Sequence, residues 1–96
     1  MHKRTKSYRE SLHEDLHDPK EAAAYLTAAL ETGDSAAFLL ALRDVADAKG
    51  MSQLAQDTQL NRENLYRMLS EQGNPQLDSL TAVLDALDLR FAVTRK

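Results

Sequence analysis

Residues 51–70 read MSQLAQDTQLNRENLYRMLS, and the placement of their apolar side chains decides the fold. Leu65, Met68 and Leu69 recur at steps of three and four, so they share one side of a helix over residues 62–70. Arg62, Glu63, Arg67 and Ser70 fall mostly on the other side. Upstream, Leu54 and Ala55 point inward together on a shorter helix that Ser52 can cap, and Asn61 caps the second helix. Two helices crossing steeply through a short turn need a small residue where they touch, apolar anchors on each, and one apolar residue in the turn. Ala55 is the small residue, Leu54, Leu65 and Met68 are the anchors, and Leu60 plugs the turn. The stretch 52–70 therefore reads as a helix-turn-helix.

Working outward, "HDPKEAAAYLTAALETGD" predicts a helix over residues 19–32. Asp18 is its N-cap, Pro19 its first residue, Glu21 completes a capping-box spacing, and Gly33 closes it. The next helix, after Asp34 or Ser35, carries the stripe Phe38, Leu39, Leu42, Val45 and Ala46 and ends at Lys49 and Gly50. Downstream, "EQGNPQ" at 71–76 is a loop by its Gly73, Asn74 and Pro75, and Leu77, Leu80, Leu84 and Leu87 resume helical spacing. That makes five helices. The tail changes period: Leu89, Phe91 and Val93 alternate with Arg90, Ala92 and Thr94, which predicts a short β-strand over residues 89–95. A lone strand needs a partner, and a second copy of the chain about a two-fold axis is the simplest source, with Leu89, Phe91 and Val93 at the dimer interface. The first ten residues set Lys3, Arg4, Lys6 and Arg9 against Glu10, so residues 1–17 read as a flexible N-terminal arm and 18–96 as one domain.

Ninety-six residues suffice for one core, and the absence of cysteine excludes a disulfide framework and a cysteine zinc site. No apolar run approaches the roughly 20 residues that span a bilayer, which reads as a soluble, cytoplasmic chain without a membrane partner. The formal net charge of -3 speaks against an indiscriminate nucleic-acid coat protein, yet a local basic face suffices for specific binding. His13 and His17 have an i, i+4 spacing that can hold zinc, but with little carboxylate company they read as solvated residues. Neither a phosphate loop nor a nucleophile with its base can be assembled, so no cofactor, metal or catalytic activity is expected.

The segment "MSQLAQDTQLNRENLYRMLSEQGNPQLDSL" resembles the Xre/Cro/C1-type helix-turn-helix proteins, and within them the addiction-module antidote proteins, HigA-like antitoxins of type II toxin-antitoxin pairs. The resemblance covers about residues 25–93, including the "EQGNP" loop at 71–75. It implies an all-α, lambda-repressor-like domain, here with five helices and the C-terminal strand. The group commonly has glycine just before the turn leucine, where this chain has Gln59, which must then accept a left-handed conformation at about 1 kcal/mol.

In a helix-turn-helix the second helix enters the major groove while the start of the first meets the DNA backbone. Arg62 or Arg67 would then bond guanine, Asn64 adenine and Glu63 a cytosine amino group, with Asn61, Tyr66 and Ser70 completing the face. Ser52 and Gln53 would hold phosphate. Two copies on two-fold related half-sites of operator DNA would be required. By resemblance, the chain is an antitoxin and autorepressor that neutralises a RelE/HigB-like toxin by direct binding, for which the acidic residues Glu10, Glu14, Asp15, Asp18 and Glu21 offer one surface. The alternatives are a stand-alone Cro/C1-type repressor and a helical protein-interaction module with no nucleic-acid role.

Overall fold

Ser7 opens the first helix. Its hydroxyl accepts from the Glu10 backbone N–H at 3.1 Å while the Glu10 carboxylate accepts from the Ser7 N–H at 3.0 Å, a reciprocal capping box. The computed structural model describes residues 7–96, and this helix, α1, spans Tyr8–Leu16. Leu16 is buried and Leu12 packs against the same core. This helix lies within the stretch read as an N-terminal arm, and it brings the described residues to six helices where five were expected. Two leucines at i, i+4 and one closed cap suffice to seat a nine-residue helix whose other residues are mostly charged or polar. His13 belongs to this helix and is half-buried rather than solvated, whereas His17 is exposed. Lys3, Arg4 and Lys6 lie outside the described residues.

The second helix, α2, runs Pro19–Glu31, with the Asp18 carboxylate accepting from the Lys20 N–H at 3.0 Å. The third, α3, runs Ser35–Lys49 behind the analogous cap of Asp34 on Ala36. These three helices pack on one another, and α3 supplies Phe38, Leu39, Leu42, Val45 and Ala46 to the core. A single residue, Gly50, separates α3 from α4, which spans Met51–Thr58. With φ at 107°, Gly50 holds a conformation that a side chain would disfavour. Because the helix opens at Met51, Ser52 lies inside its first turn and is not the expected cap.

The fifth helix, α5, covers Arg62–Met68, and the sixth, α6, covers Leu77–Ala86. Contacts with α3, α5 and α6 surround α4. Leu42, Leu54, Leu65, Leu69 and Val83 are the largest side chains withdrawn fully from solvent, and they join the two halves of the molecule through the centre. Leu80, Leu84 and Leu87 also face this core, but Leu77 is 67% exposed, because it sits on the first turn of α6 beyond the reach of the other helices.

The expected β-strand is absent: the described residues contain six helices and no strand. After α6, Asp88 takes a positive φ of 62°, and the Leu89 N–H bonds back to the Leu84 carbonyl at 2.8 Å, turning the chain. The alternation of Leu89, Phe91 and Val93 then has a different cause. Leu89 is half-buried on the core, Phe91 rests on Phe38 with ring centroids 6.2 Å apart, and Val93 is 99% exposed. A period of two in the sequence does not by itself supply the partner strand that the backbone hydrogen bonds need.

Gln59, between α4 and α5, adopts φ 61° and ψ 22°, the left-handed conformation expected of it. Thr58 stitches the turn: its hydroxyl donates to the Leu54 carbonyl at 2.8 Å and accepts from the Leu60 N–H at 3.2 Å. Gln59→Gly relieves the strain but frees the unfolded chain, so its net effect is expected between neutral and about 1 kcal/mol stabilising. Thermal denaturation checks this, and a melting temperature lowered by several degrees would contradict the turn geometry.

Tyr25 ties α2 to α3 by donating to the Asp44 carboxylate at 2.6 Å. Burial, then this hydrogen bond and the carboxylate charge, push its phenol well above the ordinary tyrosine range. A raised folded pKa means the stabilisation is complete below the unfolded value of about 10 and is lost progressively above it. Tyr25→Phe should cost about 1 kcal/mol at pH 7. Urea unfolding at pH 7 and about pH 11 should find stability falling less with pH in the variant than in the parent.

Candidate nucleic-acid interface

The two-helix unit of α4 and α5 is held from inside. Leu54 and Leu65 are fully buried, while Ala55, Leu60 and Met68 are half-buried against the same core. Asn61 fixes the start of α5, its side-chain oxygen accepting from the N–H groups of Glu63 at 2.7 Å and Asn64 at 3.3 Å. That oxygen is committed to the cap. The far end of α5 is closed by Ser70, whose hydroxyl donates to the Arg67 carbonyl at 2.8 Å, so its polar group also faces its own backbone. Glycine is required just beyond. A Cβ on Gly73 would collide with the Met68 carbonyl oxygen and come within 2.9 Å of its carbon, so the 70–76 loop lies directly on the end of α5.

Arg62, Glu63, Asn64 and Arg67 are exposed, and Tyr66 is half-buried beside them. Arg67 donates to the Asn64 carboxamide oxygen at 2.9 Å, so the two side chains lie together on one surface and that oxygen is engaged within the helix. Arg62 lies over the Tyr66 ring, 5.7 Å from its centroid. Ser52 and Gln53 are exposed on the first turn of α4, but Gln53 donates to Asp57 at 2.9 Å, and Asp57 in turn pairs with Lys49 at 3.6 Å. The structure thus gathers Arg62, Glu63, Asn64, Tyr66 and Arg67 into one face and sets Ser52 and Gln53 on the neighbouring helix. Leu89, Phe91 and Val93 belong to the separate C-terminal segment.

Sequence reasoning missed Arg43. It stands on α3, and its guanidinium covers the Tyr66 ring at 4.7 Å from the centroid, a cation–π contact worth about 0.5–1 kcal/mol where partly exposed. Asp47 lies 3.8 Å from Arg43 Nε and 3.4 Å from Arg9 of α1. Its spacing from Tyr66 gives no sequence signal, since the contact is made only by tertiary packing. A preference for arginine over the apolar neighbours of "LLALRDVA" was the one available hint.

These features define a class: a small all-α protein displaying one polar face on a short, internally anchored helix pair. The chain belongs to the addiction-module antidote family, matching over residues 6–95 the family described as "Probable addiction module antidote protein". An uncharacterized protein of Haemophilus influenzae is 40% identical over 80 residues, which cover 83% of this chain and 82% of that one. No solved structure matches. Membership in an antidote family implies a toxin partner in general terms. No helix among the described residues is long and apolar enough to cross a membrane.

Proposed function

We propose that this chain is the antitoxin of a type II toxin-antitoxin pair and the autorepressor of its operon, with α4 and α5 acting as an Xre-type helix-turn-helix. The observation that carries the DNA-binding reading is the division of α5. Leu65 and Leu69 are fully buried, and Arg62, Asn64 and Arg67 stand outward on the same seven-residue helix and its cap. Such a helix fits a major groove, where guanidinium and carboxamide groups read purine edges. The antitoxin reading is supported by the family match, with a RelE/HigB-like toxin neutralised by direct binding as the partner and the cytoplasm as its site of action.

Specific affinity requires two copies on two-fold related half-sites. We place the homodimer on the apolar groove between α2 and the C-terminal segment, lined by Leu26, Leu30, Phe38, Leu89 and Phe91 and continued by the exposed Val93. Glu31 and Arg90 also line it, and opposite charges beside one apolar strip are self-complementary under two-fold symmetry. Leu30→Glu with Val93→Asp is expected to raise the dimer dissociation constant at least about tenfold, as measured by analytical ultracentrifugation. Unchanged dimerisation would move the interface elsewhere.

The function itself is tested by titrating the chain against the duplex immediately upstream of its own coding sequence, and by co-expressing it with the adjacent small open reading frame. Retention of that duplex over a scrambled one, together with complex formation and rescued growth, is the expected result. Binding to the duplex without any toxin complex would leave a stand-alone repressor, and the converse would leave a protein-interaction module.

A further inference from the structure

We propose that Arg43 extends the DNA contact beyond the two-helix unit, forming with Tyr66 and Arg62 a clamp on the sugar–phosphate backbone. The inference rests on the reading of α5 as the recognition helix and adds a contact from α3. Three observations carry it. First, Arg43 and Arg62 share one aromatic ring, at 4.7 and 5.7 Å from its centroid, which holds two like charges close together. An anion between them removes that repulsion. Second, two of the cations share a carboxylate: Asp47 pairs with both Arg43 and Arg9, while Arg62 brings a further guanidinium to the Tyr66 ring that Arg43 covers. Third, Arg43 is held yet accessible. Its Nε is buried without a hydrogen bond, while 36% of its side chain remains exposed.

A planar guanidinium fixed on a ring is pre-organised for the paired oxygens of a phosphodiester, to which it can donate two parallel hydrogen bonds. Position selects duplex DNA as the source of that phosphate. Arg62 opens the face that enters the groove, and phosphates line the walls on either side of any helix seated there. Tyr66 therefore serves as the platform between the base-reading face and the backbone. Its hydroxyl adds a donor beside the two cations.

Arg43→Gln, Arg43→Lys and Tyr66→Phe test this on the full chain, with the duplex upstream of the coding sequence and a scrambled duplex of equal length as probes across a potassium chloride series. Arg43→Gln is expected to weaken both duplexes by a similar factor, about three- to tenfold at roughly 0.15 M salt, and to reduce the slope of log affinity against log salt by about 1. Arg43→Lys keeps the charge and the slope but loses part of the affinity, and Tyr66→Phe keeps the stack and the slope. An unchanged slope in Arg43→Gln, with only a lowered melting temperature, makes Arg43 a packing residue and overturns the clamp. A changed preference between the two duplexes also overturns it, since a backbone contact carries no sequence choice. If the parent chain binds neither duplex, the recognition-helix reading itself fails, a result separate from either of these.

Discussion

Arg62→Ala combined with Arg67→Ala is expected to weaken binding to the upstream duplex at least about a hundredfold, or ~2.7 kcal/mol, with the fold left intact. A guanidinium on a base edge, the role of Arg67, contributes about 1–3 kcal/mol of discrimination, and Arg62 adds a charge beside the backbone, so losing both reaches about that threshold without any structural collapse. Both side chains are exposed, and their contacts within the chain are slight: Arg62 rests on Tyr66, and Arg67 donates to Asn64. Surface changes of this kind usually alter stability by no more than about 0.5 kcal/mol. The melting temperature should therefore move by only a few degrees while preference for the upstream duplex over a scrambled one disappears. Fluorescence anisotropy with both duplexes, alongside thermal melts, separates the two effects. Retained discrimination in the double variant would remove α5 from the interface and favour a helical interaction module.

The face on which this prediction rests was legible in the sequence because its two determinants are local. A step pattern of three and four places Leu65 and Leu69 inward, and Asn61 caps three residues before Asn64, both of which the backbone realises as read. The left-handed Gln59 was legible through the resemblance, since the similar helix-turn-helix chains commonly carry glycine at that position. What failed depended on distant partners. The helix at Tyr8–Leu16 carries only two core leucines among mostly polar residues, and their apolar surroundings come from α2 and from α3 beyond it, through packing that local spacing does not encode. The alternation at Leu89, Phe91 and Val93 predicted a strand that the described residues do not form, because it says nothing about a partner, and Phe91 meets Phe38 instead. Arg43 is the sharpest case. No periodicity links position 43 to position 66, and only the packing of α3 beside α5 places the guanidinium on the ring.

Leu65→Ala should cost about 2–5 kcal/mol, the range for truncating a fully buried leucine. Helix α5 has seven residues, far below the roughly 12–15 at which an isolated helix becomes even marginal, so it exists because it is packed. Leu65 is its one fully buried side chain, and Leu69, which follows directly on its last turn, is the other anchor at this end of the unit. Truncation leaves a cavity in the core cluster that also holds Leu54 and Val83, where close packing resists collapse. For a domain of this size each kcal/mol lowers the melting temperature by about 4–8 °C, so a drop of at least about 8 °C is expected. Leu65→Met, which nearly conserves volume, should cost less than about 1.5 kcal/mol and supplies the control. Urea unfolding with and without the upstream duplex then tests the link to function. Because the duplex binds only the folded chain, excess DNA should raise the midpoint of Leu65→Ala toward that of the free parent. A loss below about 1 kcal/mol would mean that α5 is held by its caps and the 70–76 loop rather than by its buried half. In that case the outward set of Arg62, Asn64 and Arg67 would owe its rigidity to Asn61 and Gly73.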